Sequence, residues 1–389
     1  MLCIGRPIFD EDIEEMAKYG GTLNYVIVPK IVFMRIFSHF LPQLLLSHAK
    51  YHEVSGYDTE KLSCRAFFEE FLAEFGKATK FHAILTANYN YSWQQELAAA
   101  ARKLGVPFLV LFKEGISPLF AEGVSVQRAY DLTVARYTNN FFIGDKLLVY
   151  NDRIKQGFSN IQISGIRPEI VETVGIPRFD RYFHLEGVGN SILFFSFNFE
   201  DKSRHLGLSA EAFEKYQTKT REFHVEVVRF AAAHPELRVV IKTKNNRKYL
   251  RYVEKIVEET GCAGLANLTL TNSDNVYDLI KDARAVIGYN STALLEAFAA
   301  RRIVMSPDFR WGSVRDYFDE YPALPTYVGT SQDIATVLAS GRTEVPLEDP
   351  ELRSLLHERI HIPDGQASKR AEAAIARAID MRRPTREVS

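Results

Sequence analysis

Cysteine is scarce: Cys3, Cys64 and Cys262 are the only three in 389 residues. No two of them stand at the spacing of a zinc knuckle or a disulfide scaffold, so both are excluded, and a reducing compartment is expected. An excess of either charge is also missing. Lys+Arg number 48 against 49 for Asp+Glu, a net charge of -1. Nucleic acid as a bulk ligand is therefore disfavoured, although local basic patches remain open. No apolar run approaches the roughly 20 residues that cross a bilayer. The opening Met1–Pro7 has no signal-peptide layout, so a cytoplasmic protein is expected. No solenoid repeat and no low-complexity tract is present. Asp10-Glu11-Asp12 is the one D-x-D weighed as a metal ligand, and it falls at a helix start, where acids suit the dipole. No metal site is expected.

Apolar residues make up 46% of the chain, enough for buried cores, and the length favours two domains. Strands are expected at 2–5, 23–28, 81–86 and 108–112, with helices between them. The segment Ile31 to His48 is apolar and aromatic. It reads as a core helix broken by Pro42, or as a face toward a membrane or lipid-linked acceptor. Ser92 with Gln95 has the form of a capping box. Two short strands are expected around Gly144. Two strand ends carry polar groups, Asn88 and Tyr89 after the third strand and Lys113-Glu114-Gly115 after the fourth. Residues 181–190 carry little pattern and suggest a boundary. The same alternation then restarts with strands at 192–197, 237–241 and 268–270, the doubly wound pattern of a parallel α/β fold. Lys242 and Lys244 follow the second of these strands, either as a solvated charge run or as phosphate contacts. Asp308 to Gly312 reads as a lid or as a pinned surface loop.

The densest signal lies at Ala285 to Phe298: a buried strand, a Gly288-Tyr289-Asn290-Ser291 turn, and a helix from Thr292. Such a turn aims unpaired N–H groups and a positive dipole end at whatever binds beyond the strand, which suits phosphate. Thr292 and Glu296 share one helix face. Asn290, Ser291 and Thr292 would hold the phosphate, with Glu296 one turn deeper accepting hydroxyls. A capped helix with Glu296 merely exposed is the plain alternative.

Three segments together resemble a known group. They are Val174-Gly175-Ile176-Pro177-Arg178-Phe179-Asp180, Gly288 to Ala297, and Asp364-Gly365-Gln366-Ala367-Ser368-Lys369-Arg370. They are similar to the G-x-P-R-F-D, S-S/T-x-x-x-E-A and D-G-x-A-S-x-R segments of bacterial capsule and O-antigen glycosyltransferases of the GT-B fold, a group that shades into Kdo-transferase-like and CDP-glycerol-polymerase-like families. The resemblance implies two Rossmann-like domains facing across a cleft. An acceptor domain would span 1–183, a nucleotide-donor domain 184–365, and a last helix, 366–389, would cross back to the first domain. It further implies donor contacts at Asn290, Ser291, Thr292, Glu296, Lys242 and Lys244, with Arg178 and Asn198 as further donor-side candidates. The usual K-x-H-P after the second donor-domain strand reads Lys242-Thr243-Lys244-Asn245 here, so a histidine contact is absent.

The reading that follows is a metal-independent glycosyltransferase without a cofactor, taking a nucleotide sugar as donor and a glycan or lipid-linked glycan as acceptor. Peripheral association with the inner face of the membrane stays open. Glycosyl transfer needs a base for the acceptor hydroxyl. Glu114 is the candidate, with Asn88, Tyr89 and Lys113 on the acceptor side; alternation along the chain should turn Lys113 away from it. Two rivals stand beside this reading. One is a catalytically silent glycan-binding or scaffold module. The other is a sugar-nucleotide epimerase of the same fold, which needs a second acid/base pair that the sequence does not single out.

Overall fold

The computed structural model describes residues 1–116, 118, 120–198, 208–312, 314–321, 323–342 and 344–382. The chain forms two compact units, one of Met1–Ile116, Gln127–Arg181 and the chain from His357 on, the other of Ser117–Val126 and Tyr182–Leu356. The chain from Arg383 on, where Arg383, Pro384, Thr385 and Arg386 make a basic end, lies outside the described residues, as do residues 199–207, most of the polar stretch between Asn198 and Leu208.

In chain order the strands of the first half are β1 (Leu2–Gly5), β2 (Val26–Pro29), β3 (Ile84–Thr86), β4 (Phe108–Phe112), β5 (Phe120–Ala121), β6 (Lys146–Val149) and β7 (Val171–Thr173). All but β5 form one parallel sheet in the order β2-β1-β3-β4-β6-β7. A parallel strand covered by helices on both faces needs apolar residues at every position; β4 reads Phe-Leu-Val-Leu-Phe and is buried throughout. Only one strand, β6, forms near Gly144. A side chain at Gly144 would collide with the Phe142 ring and the Phe108 carbonyl.

The apolar segment after β2 is the helix Lys30–Phe40, stopped before Pro42. Phe33 and Phe37 are buried, whereas Ile31 and Val32 are exposed. Among the described residues no helix is long and apolar enough to cross a membrane. The capping box expected at Ser92 does not form. Ser92 is already inside the helix Ser92–Lys103 and its hydroxyl donates to the Leu46 carbonyl, while Gln95 donates to the Tyr89 carbonyl.

The last helix, Ala367–Arg382, belongs to the first unit, as the resemblance implied. Two contacts hold it. The Asp180 carboxylate accepts the N–H groups of Ala367 (2.9 Å) and Ser368 (2.7 Å), so the acid sits where the dipole favours it. Farther along, buried Glu372 accepts from the Thr22 N–H and from the Thr22 and Tyr25 hydroxyls. Thus two of the family-like segments, 174–180 and 364–370, meet inside one unit. Gly175 (φ 86°) must be glycine there, since a Cβ would press on Ala367 and the Ile360 carbonyl, and Arg370 donates to the Val174 carbonyl.

The second unit carries β8 (Ser191–Phe195), β9 (Val239–Lys242), β10 (Leu268–Thr271), β11 (Ala283–Ile287), β12 (Ile303–Pro307), β13 (Val314–Arg315) and β14 (Thr326–Val328). Its sheet is parallel, ordered β10-β9-β8-β11-β12-β14, and β5 pairs antiparallel with β13 as a separate ribbon. The helices Ala210–Ala233 and Arg247–Glu259 connect β8 to β9 and β9 to β10. Every loop that follows a strand of this sheet therefore emerges at one edge, the carboxyl edge where open α/β sheets bind ligands.

Removing the Asp180 carboxylate leaves two buried N–H groups without an acceptor, a loss of about 1–3 kcal/mol per group at most. Asp180→Ala is expected to lower the urea-unfolding free energy of the first unit by about 2–4 kcal/mol. Asp180→Asn, which keeps one carbonyl oxygen, should recover part of it; equal stability of Asp180→Ala and the unaltered protein would contradict this role.

Candidate functional site

At the carboxyl edge of the second sheet, β11 ends in the turn that begins the helix Thr292–Ala299. Asn290 takes the left-handed conformation (φ 44°), which asparagine tolerates better than most side-chain-bearing residues. Its N–H donates to the Asp316 carboxylate at 3.2 Å. Ser291 caps the helix through the Ala293 N–H, and Asn290, Ser291 and Thr292 are all half-buried at the edge. Glu296 is not exposed: it is 6% accessible and its Oε2 accepts the Tyr182 hydroxyl at 2.9 Å. It acts as a hydroxyl acceptor, with a hydroxyl of its own unit as partner.

Lys242 ends β9 as expected, yet its ammonium is turned into the protein. It donates to the carbonyls of Thr243 (2.7 Å) and Asn272 (3.0 Å) and is buried. Burial lowers its pKa, with Asp274 opposing. Lys244 is exposed and stands over the Tyr249 ring, 5.3 Å from its centre. Asn198 lines a cavity with Tyr249. The 308–312 segment is pinned. Phe309 packs on Tyr289 (ring centres 4.9 Å) inside the core of the unit, and Trp311 stacks on Tyr216.

Arg178, a donor-side candidate, belongs to the first unit. It is buried, and its guanidinium binds both Asp12 oxygens at 3.3 Å and the Tyr150 oxygen at 3.2 Å. The same contacts occupy the Asp12 carboxylate weighed above as a metal ligand. Burial raises the Asp12 pKa, and the neighbouring guanidinium pulls it back.

Beyond β4 in this unit, Lys113 and Glu114 do not diverge. Lys113 Nζ lies 3.0 Å from Glu114 Oε1, because strict alternation ends with the strand. Asn88 Nδ2 approaches the same oxygen at 3.5 Å, a long contact. Glu114 keeps about a third of its side chain exposed. Gly115 (φ 84°) has no room for a side chain, since a Cβ would fall 2.2 Å from Ile154. Tyr89, an acceptor-side candidate, is 3% exposed, its ring set among Phe112, Tyr137 and Phe142.

Two groups at the carboxyl edge of the second sheet escaped the sequence reading. Asp316 and Asp319 form a capping box over Tyr317–Glu320; the D-x-x-D spacing was the available signal. With Tyr289, Arg310 and Tyr327 they line a void of about 10 Å³ beside the turn. Burial raises the Asp319 pKa, and Arg315 and Arg310 oppose it. The second group is Ser196, just past β8. Its Oγ lies 2.8 Å from Nε2 of His224, whose Nδ1 lies 2.7 Å from the Thr220 carbonyl. A carbonyl only accepts, so Nδ1 carries the proton and Nε2 accepts from Ser196. Ser196 is left with lone pairs, and no proton, for anything bound at the edge. No local sequence signal joins Ser196 to His224.

No family model matches the chain, and none of the curated proteins matches it in sequence. Solved structures do match along nearly the whole length. The UDP-GlcNAc 2-epimerase of Methanocaldococcus jannaschii is 11% identical, with 97% of this chain and 98% of that one covered and a TM-score of 0.51. A glycosyltransferase from Rickettsia africae ESF-5 is 12% identical, with 97% of each chain covered and a TM-score of 0.52. The S. aureus MnaA–UDP complex is 14% identical, with 98% and 96% covered and a TM-score of 0.50. At these identities the likeness concerns the fold, which is the two-domain GT-B type.

The buried imidazole makes a pH prediction. Burial pushes the His224 pKa down to about 4 from the ordinary 6.5. As pH falls below 6.5 the unfolded chain takes up this proton first, so stability declines between about 6.5 and about 4 and levels off below. The full effect is about 3 kcal/mol. Urea unfolding at pH 7 and pH 4.5 should show a smaller acid loss in His224→Gln than in the unaltered protein; identical slopes would contradict the assignment.

Proposed function

We propose that this chain is an enzyme acting on a nucleotide sugar, with the diphosphate held at the Gly288–Thr292 turn of the second unit. The observation that carries this is the turn itself. A left-handed Asn290, a serine cap and a half-buried Thr292 stand at the carboxyl edge of a parallel sheet, with a buried hydroxyl-accepting Glu296 one helical turn behind. Helix N-termini at such edges stabilise phosphate oxygens through N–H groups and the dipole. The fold it shares with sugar-nucleotide enzymes supports the same substrate class.

Of the two reactions open to such a site, the first reading is epimerisation of the sugar while it remains on the nucleotide. UDP-GlcNAc 2-epimerases recur among the matching structures, which supports it, and so do the carboxylates beside the turn. Inverting a ring carbon breaks a C–H bond and re-forms it from the opposite face, so one group removes a proton and a second returns one. Asp319, whose pKa burial raises, is the candidate acid beside the turn. The second reading is glycosyl transfer to a glycan acceptor, with Glu114 as base. The three family-like segments and the Rickettsia structure favour it.

The two readings separate in one experiment. UDP-GlcNAc and other nucleotide sugars are incubated with the protein in D₂O and followed by proton NMR. Epimerisation gives a new nucleotide sugar carrying deuterium at the inverted carbon, without an acceptor. Transfer releases free nucleotide only when a glycan acceptor is added. Binding without either change would overturn both. Glu114→Gln is expected to lower kcat by about 10²–10⁴ with nucleotide affinity unchanged. Glu296→Gln should weaken nucleotide binding by about 1–3 kcal/mol in calorimetry; unchanged affinity would remove Glu296 from the site.

A further inference from the structure

The sheet of the second unit is ordered β10-β9-β8-β11-β12-β14. The chain builds outward from β8 to β10, then crosses back to β11 and builds the other way. The order therefore reverses between β8 and β11. At such a switch point a crevice opens beyond the carboxyl ends of the two strands, and ligands bind there. One wall is the Asn290 turn after β11. The other begins with Ser196, directly after β8. The two ends run close together: Phe194 is paired with Ile287, and a side chain on Gly288 would lie 3.4 Å from the Phe195 Cβ. Ser196 comes next, about one strand spacing, 4.8 Å, from the start of the turn.

Ser196 is the outer end of a directed hydrogen-bond chain. The Thr220 carbonyl accepts from Nδ1 of His224 at 2.7 Å, and Nε2 accepts from the Ser196 hydroxyl at 2.8 Å. Thr220 and His224 are fully buried, and the imidazole packs against the rings of Phe194, Phe197 and Tyr252, with centres 4.9, 5.5 and 5.4 Å away. Ser196 is half-buried and is the member of the chain that reaches the edge. Its proton is committed inward, so lone pairs are what it presents, and a hydroxyl that donates is polarised into a better acceptor. The plain reading is a core histidine satisfied by a nearby serine. Two features weigh against it. An apolar residue would fill the space among these rings without the cost of burying a polar group. And the partner that satisfies the imidazole stands at the switch point, not inside the core.

We propose that Ser196 sets the sugar specificity of this site by accepting a hydrogen bond from a hydroxyl or amide N–H on the sugar, while the turn holds the diphosphate. This rests on the nucleotide-sugar reading above and holds for either reaction. The two walls have opposite polarity. The turn offers N–H groups and takes acceptors such as phosphate oxygens. Ser196 takes donors and disfavours a phosphate oxygen, since lone pairs would face lone pairs. The substrate is thereby oriented across the switch point, phosphate toward β11 and sugar toward β8. On a nucleotide sugar the donor nearest the phosphate is the substituent of the carbon beside the phosphorylated one, so that group is assigned to Ser196.

The test uses the full chain and four probes, UDP, UDP-glucose, UDP-GlcNAc and UDP-2-deoxy-2-fluoroglucose, titrated by calorimetry. Fluorine takes the place of the hydroxyl and cannot donate. The unaltered protein should bind the fluoro sugar about tenfold more weakly than UDP-glucose, a comparison that needs no variant. Ser196→Ala should lose about tenfold for whichever of UDP-glucose and UDP-GlcNAc binds more tightly, and nothing for UDP or the fluoro sugar. Unchanged UDP affinity also shows that the turn and the fold are intact in the variant. Equal affinity of the unaltered protein for UDP-glucose and the fluoro sugar would overturn the assignment. So would a loss in Ser196→Ala that UDP or the fluoro sugar shares, or no loss at all. Each of these leaves the proposed function standing as long as UDP binds. Failure of all four probes to bind the unaltered protein would overturn the assignment together with the substrate class it rests on.

Discussion

The first unit is closed by one carboxylate. Asp180 sits at the end of a family-like segment and takes two N–H groups from the start of the last helix, 187 and 188 residues further along the chain. The helix could not be buried there with its first donors unmet. Once it is docked, Glu372 reaches Thr22 and Tyr25, and Arg370 reaches the Val174 carbonyl. Arg178, two residues before Asp180, binds Asp12 and ties the same segment to the first helix. In this chain that family-like segment makes the contact that docks the last helix.

The second unit is governed by direction instead. Its sheet is wholly parallel, so the loops after β8, β9, β11 and β12 share one edge. Ser196, Lys244, the Asn290 turn and the Asp316–Asp319 pair come to that edge from four places in the sequence. They differ in what they offer: lone pairs from Ser196, N–H groups from the turn, carboxylates from Asp316 and Asp319. An edge of this composition can hold a substrate that is anionic at one end and rich in hydroxyls at the other.

Much of the fold was legible because buried parallel strands need continuous apolar runs, and Phe108 to Phe112 or Ala283 to Ile287 permit little else. The turn at Asn290 was legible for a similar local reason, since glycine, asparagine and serine each favour the backbone found there. What was not legible depended on distant partners. Ser92 spends its hydroxyl on Leu46, Arg178 its charge on Asp12, and Lys242 its ammonium on Asn272. Residue type and position at a strand end indicate what chemistry is available there. The direction of the side chain is decided by a neighbour that no spacing rule reveals, as with Lys113 and Glu114.

The order of the segments in the chain has a consequence for synthesis. The second unit is complete once residue 356 has been made, and it already includes the β5 strand that pairs with β13. The first unit must wait for the helix at 367–382, although most of its sheet was made long before. Emerging from the ribosome, the early half stays open along the surface that this helix covers while the later half folds. Exposed apolar surface of that kind is where chaperones bind and where aggregation begins. A nascent chain stalled between these two points would hold a finished second unit beside an unfinished first one.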